Sequence, residues 1–138
     1  MEDNELKNDC LKLRRINNIE NEYLKDCLNK IPKEGLEELY NLYDTKQKNR
    51  KTKQGKINFL CQEIVSTFID DYLYMMNKQA RDKYVDICAG KVSDIDHDVI
   101  HFFLFGYIFI DESDRLIIPN DLYWYLDKFL YEMTKDLK

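Results

Sequence analysis

The sequence predicts a mainly α-helical bundle with one short antiparallel β-hairpin. Apolar residues recur at steps of three and four through most of the chain. That rhythm gives way to β-branched and aromatic runs only across residues 107–118. Glycine and proline are sparse and fall mostly at the joints. A length of 138 residues, 44% hydrophobic, suits one compact domain over 1–138, with subdomains expected at 10–76 and 78–138. Ten tyrosines, seven phenylalanines and one tryptophan argue against a disordered chain.

Residues 1–9 are expected to fray. From Cys10 to about Lys30, one helical face runs through Leu13, Ile16, Ile19, Tyr23 and Cys27. Pro32 limits that helix, because the residue before a proline is pushed toward extended backbone. A short helix from Lys33 to about Tyr43 follows, with Leu36, Leu39, Tyr40 and Tyr43 on its apolar side. Pro32 suits its first turn, where no amide hydrogen is needed. Residues 46–56 lack periodicity, contain Thr52 and Gly55, and read as a loop.

Ile57, Leu60, Cys61, Ile64, Phe68, Tyr72, Leu73 and Met76 then mark the clearest helix, with Asp70 and Asp71 on its far side. Residues 78–89 form the next one. It buries Ala80, Tyr84, Ile87 and Cys88 and closes at Gly90. Ser93 is expected to cap a largely enclosed helix reaching Phe105, with Asp94 and Asp96 in its first turn. Gly106 ends it. Residues 107–118 form the hairpin around the polar tip Asp111, Glu112, Ser113 and Asp114. Pro119 closes the second strand, and Asn120 opens a last helix with Leu122, Leu126, Phe129, Leu130 and Met133 on its apolar face.

The cysteines Cys10, Cys27, Cys61 and Cys88 form no CxxC pair. Cys27, Cys61 and Cys88 occupy apolar helical positions and read as reduced core thiols, with Cys61 inaccessible, in a cytoplasmic protein. No segment approaches the run of about 18 apolar residues that spans a membrane. His97 and His101 lie four apart beside Asp94 and Asp98, but HDVIH lacks the glutamate of a metalloprotease helix. They read as solvent-facing. No glycine-rich phosphate cradle or nucleophile–base pair occurs, so no catalytic residue, cofactor or metal is expected.

Two stretches resemble known modules. Residues 93–126 resemble a winged-helix-like domain. Phe102, Phe103, Leu104, Phe105 and Gly106 lead into Tyr107 and Ile108, and Leu116, Ile117, Ile118 and Pro119 return to Leu122. The resemblance implies a winged-helix-like C-terminal half. The helix in the recognition position carries Asp94, Asp96 and Asp98 and no lysine or arginine, which phosphates would repel. Residues 33–64 resemble a SAP or Rho-N-terminal-like helix–loop–helix module. Leu36, Glu37, Glu38 and Leu39 stand in its first helix, and Gly55, Lys56, Leu60 and Ile64 in its second. Such modules often contact nucleic acid.

The favoured reading is a non-catalytic protein-binding adaptor, regulator or inhibitor with an acidic C-terminal surface. Its partner is expected to be another protein of a nucleic-acid-processing or regulatory system. Asp94, Asp96, Asp111, Glu112 and Asp114 would form a partial phosphate mimic. Tyr123, Trp124 and Tyr131 exceed what the core stripe of the last helix needs, and aromatic residues favour interface centres. The same helix suits homo-oligomer formation. The alternative is a nucleic-acid-binding accessory protein using residues 46–56. There Lys46, Lys48, Arg50, Lys51, Lys53 and Lys56 stand without an acid in a chain of formal net charge -5. No membrane partner is expected.

Overall fold

The computed structural model describes residues 2–18, 20–44, 52–73, 78–91 and 95–136; among these stand seven α-helices, one π-helical turn and one two-stranded hairpin. The helices are α1 (Glu2–Leu13), α2 (Leu24–Lys30), α3 (Lys33–Tyr43), α4 (Lys53–Thr67), α5 (Lys78–Cys88), α6 (His97–Leu104) and α7 (Asn120–Asp136). The π-helical turn, Phe68–Leu73, continues α4. Strands β1 (Phe109–Ile110) and β2 (Leu116–Ile117) pair antiparallel, with Phe109 opposite Ile117 and Ile110 opposite Leu116. This is the mainly helical fold with a hairpin that periodicity predicts.

The expected helix over 10–30 is two helices, and residues 2–9 are helical rather than frayed. Between α1 and α2 the chain runs extended beside β1. Ile110 donates its amide hydrogen to the Arg14 carbonyl at 3.1 Å, and Ile16 donates to the Ile110 carbonyl at 2.8 Å. Arg15 thus forms a parallel bridge with Ile110. A helix through this segment would forfeit that pairing. Asn18, at φ 55, then turns the chain toward α2.

Arg14 anchors the same segment. Its side chain is 1% exposed. Nε donates to the Phe103 carbonyl at 2.8 Å, and one terminal nitrogen donates to Glu38 at 2.5 Å. The guanidinium therefore serves the carbonyl end of α6, where backbone acceptors lack intrahelical partners. Nearby, α3 crosses α1 so closely that a Cβ on Gly35 would overlap the Leu13 carbonyl oxygen. Only glycine fits there.

The start of α4 also differs from expectation. Thr52 accepts a hydrogen bond from the Gly55 amide at 3.0 Å, so helix begins at Lys53, inside the stretch read as loop. The expected cap Ser93 lies outside the described residues, and α6 begins later, at His97, capped by Asp96. Gly106 leaves α6 at φ +79, as a left-handed helix terminator should.

Buried side chains from both ends of the chain form one cluster. It includes Ile16, Leu24 and Leu28, Leu39 and Ile64, Phe102 and Phe103, and Leu122 and Leu126. Tyr84 fills its middle, with its hydroxyl donating to the Tyr107 carbonyl at 2.8 Å. Phe68 lies 5.4 Å from Tyr84 and 5.1 Å from Tyr107, ring centre to ring centre. The last helix is tied to the first third of the chain. The Asp121 carboxylate accepts from the Leu24 amide at 2.7 Å, and the Asn120 amide donates to the Glu22 carbonyl at 2.7 Å.

Candidate functional site

Helix α7 buries Leu122 and Leu126 and half-buries Tyr125 and Phe129. Its other side stays in water. Tyr123 is 50% exposed, Trp124 56%, Leu130 38% and Tyr131 69%. At 3.6 residues per turn, these four share one face with Asp127. The only other exposed large apolar residues among the described ones are Tyr23 and Leu42. Exposed apolar surface is thus concentrated on α7. Scattered exposed apolar residues are ordinary, whereas a contiguous strip marks a contact surface.

A small groove of about 170 Å³ separates this face from α5. Val85, Cys88 and Leu126 lie along it, beside Tyr123 and Leu130; Asp127 is the one charged residue among those described. Trp124 is held edge-on by Tyr125 at 4.8 Å, and Lys128 lies over its ring at 5.3 Å. The predicted residues Tyr123, Trp124 and Tyr131 are therefore brought together.

The predicted acids are arranged differently. Asp94 lies outside the described residues. Asp96 accepts from the Val99 amide at 3.0 Å and pairs with Lys83 at 2.7 Å. Partial burial pushes its carboxyl upward. The bonds from Lys83 and Val99 outweigh that and hold it below the ordinary value. Asp111 organises the hairpin tip, accepting from the amides of Ser113 and Arg115 at 2.9 Å each. The Arg115 guanidinium binds the same carboxylate at 3.2 Å and reaches Glu22 at 2.8 Å. Asp114 pairs with Arg15 at 2.8 Å. Glu112 is exposed. Three of these carboxylates are thus partnered within the fold.

Of the basic stretch, Lys46, Lys48, Arg50 and Lys51 lie outside the described residues. Lys53 donates to the Asn29 carbonyl at 3.2 Å. Lys56 pairs with Glu37 at 2.5 Å and sits 5.2 Å from the centre of the Tyr40 ring. Both line a cleft of about 490 Å³ with Ile31, Lys33, Leu36 and Glu37. A second cleft, of about 580 Å³, opens beside Pro32 and is lined by Asn8, Lys12, Arg15, Asn17 and Lys30. Sequence reasoning missed this second group, because its residues come from separate segments without local enrichment.

His97 and His101 are exposed, with His101 against Phe105 at 4.8 Å. Among the described residues, no three metal-ligating side chains converge. Cys27 is fully buried, and burial raises its thiol above the ordinary range. Cys61 is only half-buried, which corrects the expectation of an inaccessible thiol. It sits at the edge of the stripe formed by Ile57, Leu60, Ile64 and Phe68. Burial still pushes Cys61 up to about 11 and Cys88 to about 12. No described helix is long and apolar enough to cross a membrane. No protein-family model matches the chain, and no curated protein or solved structure matches it significantly.

Proposed function

We propose that this protein is a non-catalytic binding module, an adaptor or regulator, that docks a partner protein on the outer face of α7. The concentration of Tyr123, Trp124, Leu130 and Tyr131 on one exposed face carries this reading. Tryptophan and tyrosine supply large contact area with few rotatable bonds and dominate the energetics of interfaces. The occupant is a chain segment that places an apolar side chain between α5 and α7 and a cation beside it. Asp127, the one charged residue among those described in the groove, selects for that cation. Asp96, Asp111 and Asp114 already hold cations of the fold, which favours α7 over the acids as the docking face in this reading. A winged-helix-like arrangement of the C-terminal half is part of the proposal, supported by the order α6, β1, β2, α7.

Trp124 is the only tryptophan, so tryptophan emission, excited selectively over the ten tyrosines, reports on this face alone. A partner captured from nuclease-treated lysate should be lost with the double variant Trp124→Ser, Tyr131→Ser at unchanged thermal stability. The purified partner should shift wild-type emission to the blue. Retention by the double variant overturns the interface. A blue shift that grows with the protein's own concentration assigns the face to a second copy instead.

A further inference from the structure

The two clefts flanking the turn from Lys30 to Lys33 are neighbours: Ile31 lines one and Pro32 the other. Lys12, Arg15 and Lys30 line the Pro32 cleft, with no acid among its described lining residues. Lys33, Lys53 and Lys56 line the Ile31 cleft against one described acid, Glu37. These cations come from α1, the segment after it, α2, α3 and α4. We propose that both clefts form one face that binds the phosphate backbone of duplex nucleic acid without reading its sequence.

Helix dipoles do not account for these lysines. Lys12 and Lys30 stand at helix C-termini, where a cation is favourable. Lys33 and Lys53 are the first residues of α3 and α4, where the dipole disfavours a cation. Thr52 already takes the Gly55 amide of α4 and Glu34 stands in the first turn of α3, so it is the lysines that would hold an anion there. Arg15, Lys53 and Lys56 are held in place by Asp114, the Asn29 carbonyl and Glu37. Among the described residues, Lys12, Lys30 and Lys33 have no carboxylate within ion-pair distance, so they gain most from phosphate.

The size and lining favour nucleic acid over an acidic protein. The three steps from Lys30 to Lys33 span up to about 10 Å of extended chain. Duplex carries one charge per about 1.7 Å of axis, so a face of that width meets several phosphates. Among the described residues neither cleft is lined by an aromatic side chain, which argues against both base stacking and the usual anchor of a protein interface. Asn8 and Asn17 add neutral donors suited to phosphate oxygens. This face is independent of the α7 interface.

The test is fluorescence anisotropy with labelled duplexes of about 20 base pairs and unrelated sequences, between about 50 and 200 mM salt. Wild type should bind all of them equally. The variant Lys12→Gln, Lys30→Gln, Lys33→Gln should lose at least about tenfold in affinity at low salt. Its log–log salt slope should be shallower by about 2.7, at about 0.9 per lost phosphate contact. Wild type failing to bind at low salt overturns the proposal. So does a triple variant with wild-type affinity and slope, which would place binding elsewhere on the chain. Tighter binding of single strands refutes the duplex assignment, and equal competition by poly-glutamate assigns the face to acidic proteins.

Discussion

Arg14 donates from Nε to the carbonyl oxygen of Phe103 at 2.8 Å, across a sequence separation of 89 residues. The same side chain reaches Glu38, which is 46% exposed while Arg14 is 1% exposed. That asymmetry decides which partner matters. Arg14→Ala leaves the α6 carbonyls without their donor and opens a void, and should cost about 3–5 kcal/mol. Glu38→Gln keeps an acceptor in a half-wet site and should cost about 1 kcal/mol or less. Urea unfolding of both variants measures the difference; equal losses would contradict the capping role.

Gly35→Ala separates two opposed effects. Helix propensity alone favours alanine by about 1 kcal/mol. The added Cβ overlaps the Leu13 carbonyl oxygen, a backbone atom that cannot turn aside. Overlap should win, with a net loss of about 3 kcal/mol. Thermal unfolding reads the sign directly, and a stabilised variant would refute the close crossing of α1 and α3.

The thiols should react in a fixed order. Cys27 is sealed in the core and should be alkylated only on unfolding. Cys61 and Cys88 are half-buried, with thiols pushed up to about 11 and 12, so they should react slowly and faster as pH rises. Pulsed native alkylation read by peptide mass spectrometry resolves the three; Cys27 matching Cys61 would contradict the packing of α2.

Asp96 gives a pH signature. Its folded carboxyl lies below the ordinary value of 3.8, chiefly because the bonds from Lys83 and Val99 overcome the upward push of burial. A depressed carboxyl stabilises fully above the ordinary value, and that contribution is lost as pH falls through the folded one. Asp96→Ala removes a helix cap as well and should cost about 1 kcal/mol at neutral pH. The gap from wild type should narrow through the acid range. Unfolding curves at neutral and acid pH check this, and a gap that widens on acidification would refute it.

Periodicity and punctuation made most of the fold legible. Pro32 separates α2 from α3, Gly90 follows α5, and Gly106 marks the passage from helix to hairpin, each through a backbone preference readable locally. Arg14 to Ile16 were not legible, because their extended state depends on Ile110, far away in sequence. Thr52 was readable as a cap only once the helical run was known to include Gly55. At the candidate site, the surplus of Tyr123, Trp124 and Tyr131 over the core stripe was visible in the sequence. The grouping of Lys12, Arg15 and Lys30 was not, since only tertiary packing brings α1, the segment after it and α2 to one cleft.

The lane formed by Arg14 and Ile16 beside Ile110 bears on how the protein is made. Translation proceeds at roughly 5–20 residues per second, so the first lane waits roughly 5–20 s for its partner to leave the ribosome. During that interval Ile16, Leu24 and Leu28 have no finished core to enter, and nascent α1 and α2 present apolar surface to whatever is near. Contacts this distant in sequence also slow folding after release. The newborn chain therefore passes through a period open to holdase chaperones that a protein of the same size built from local helical pairs would largely escape.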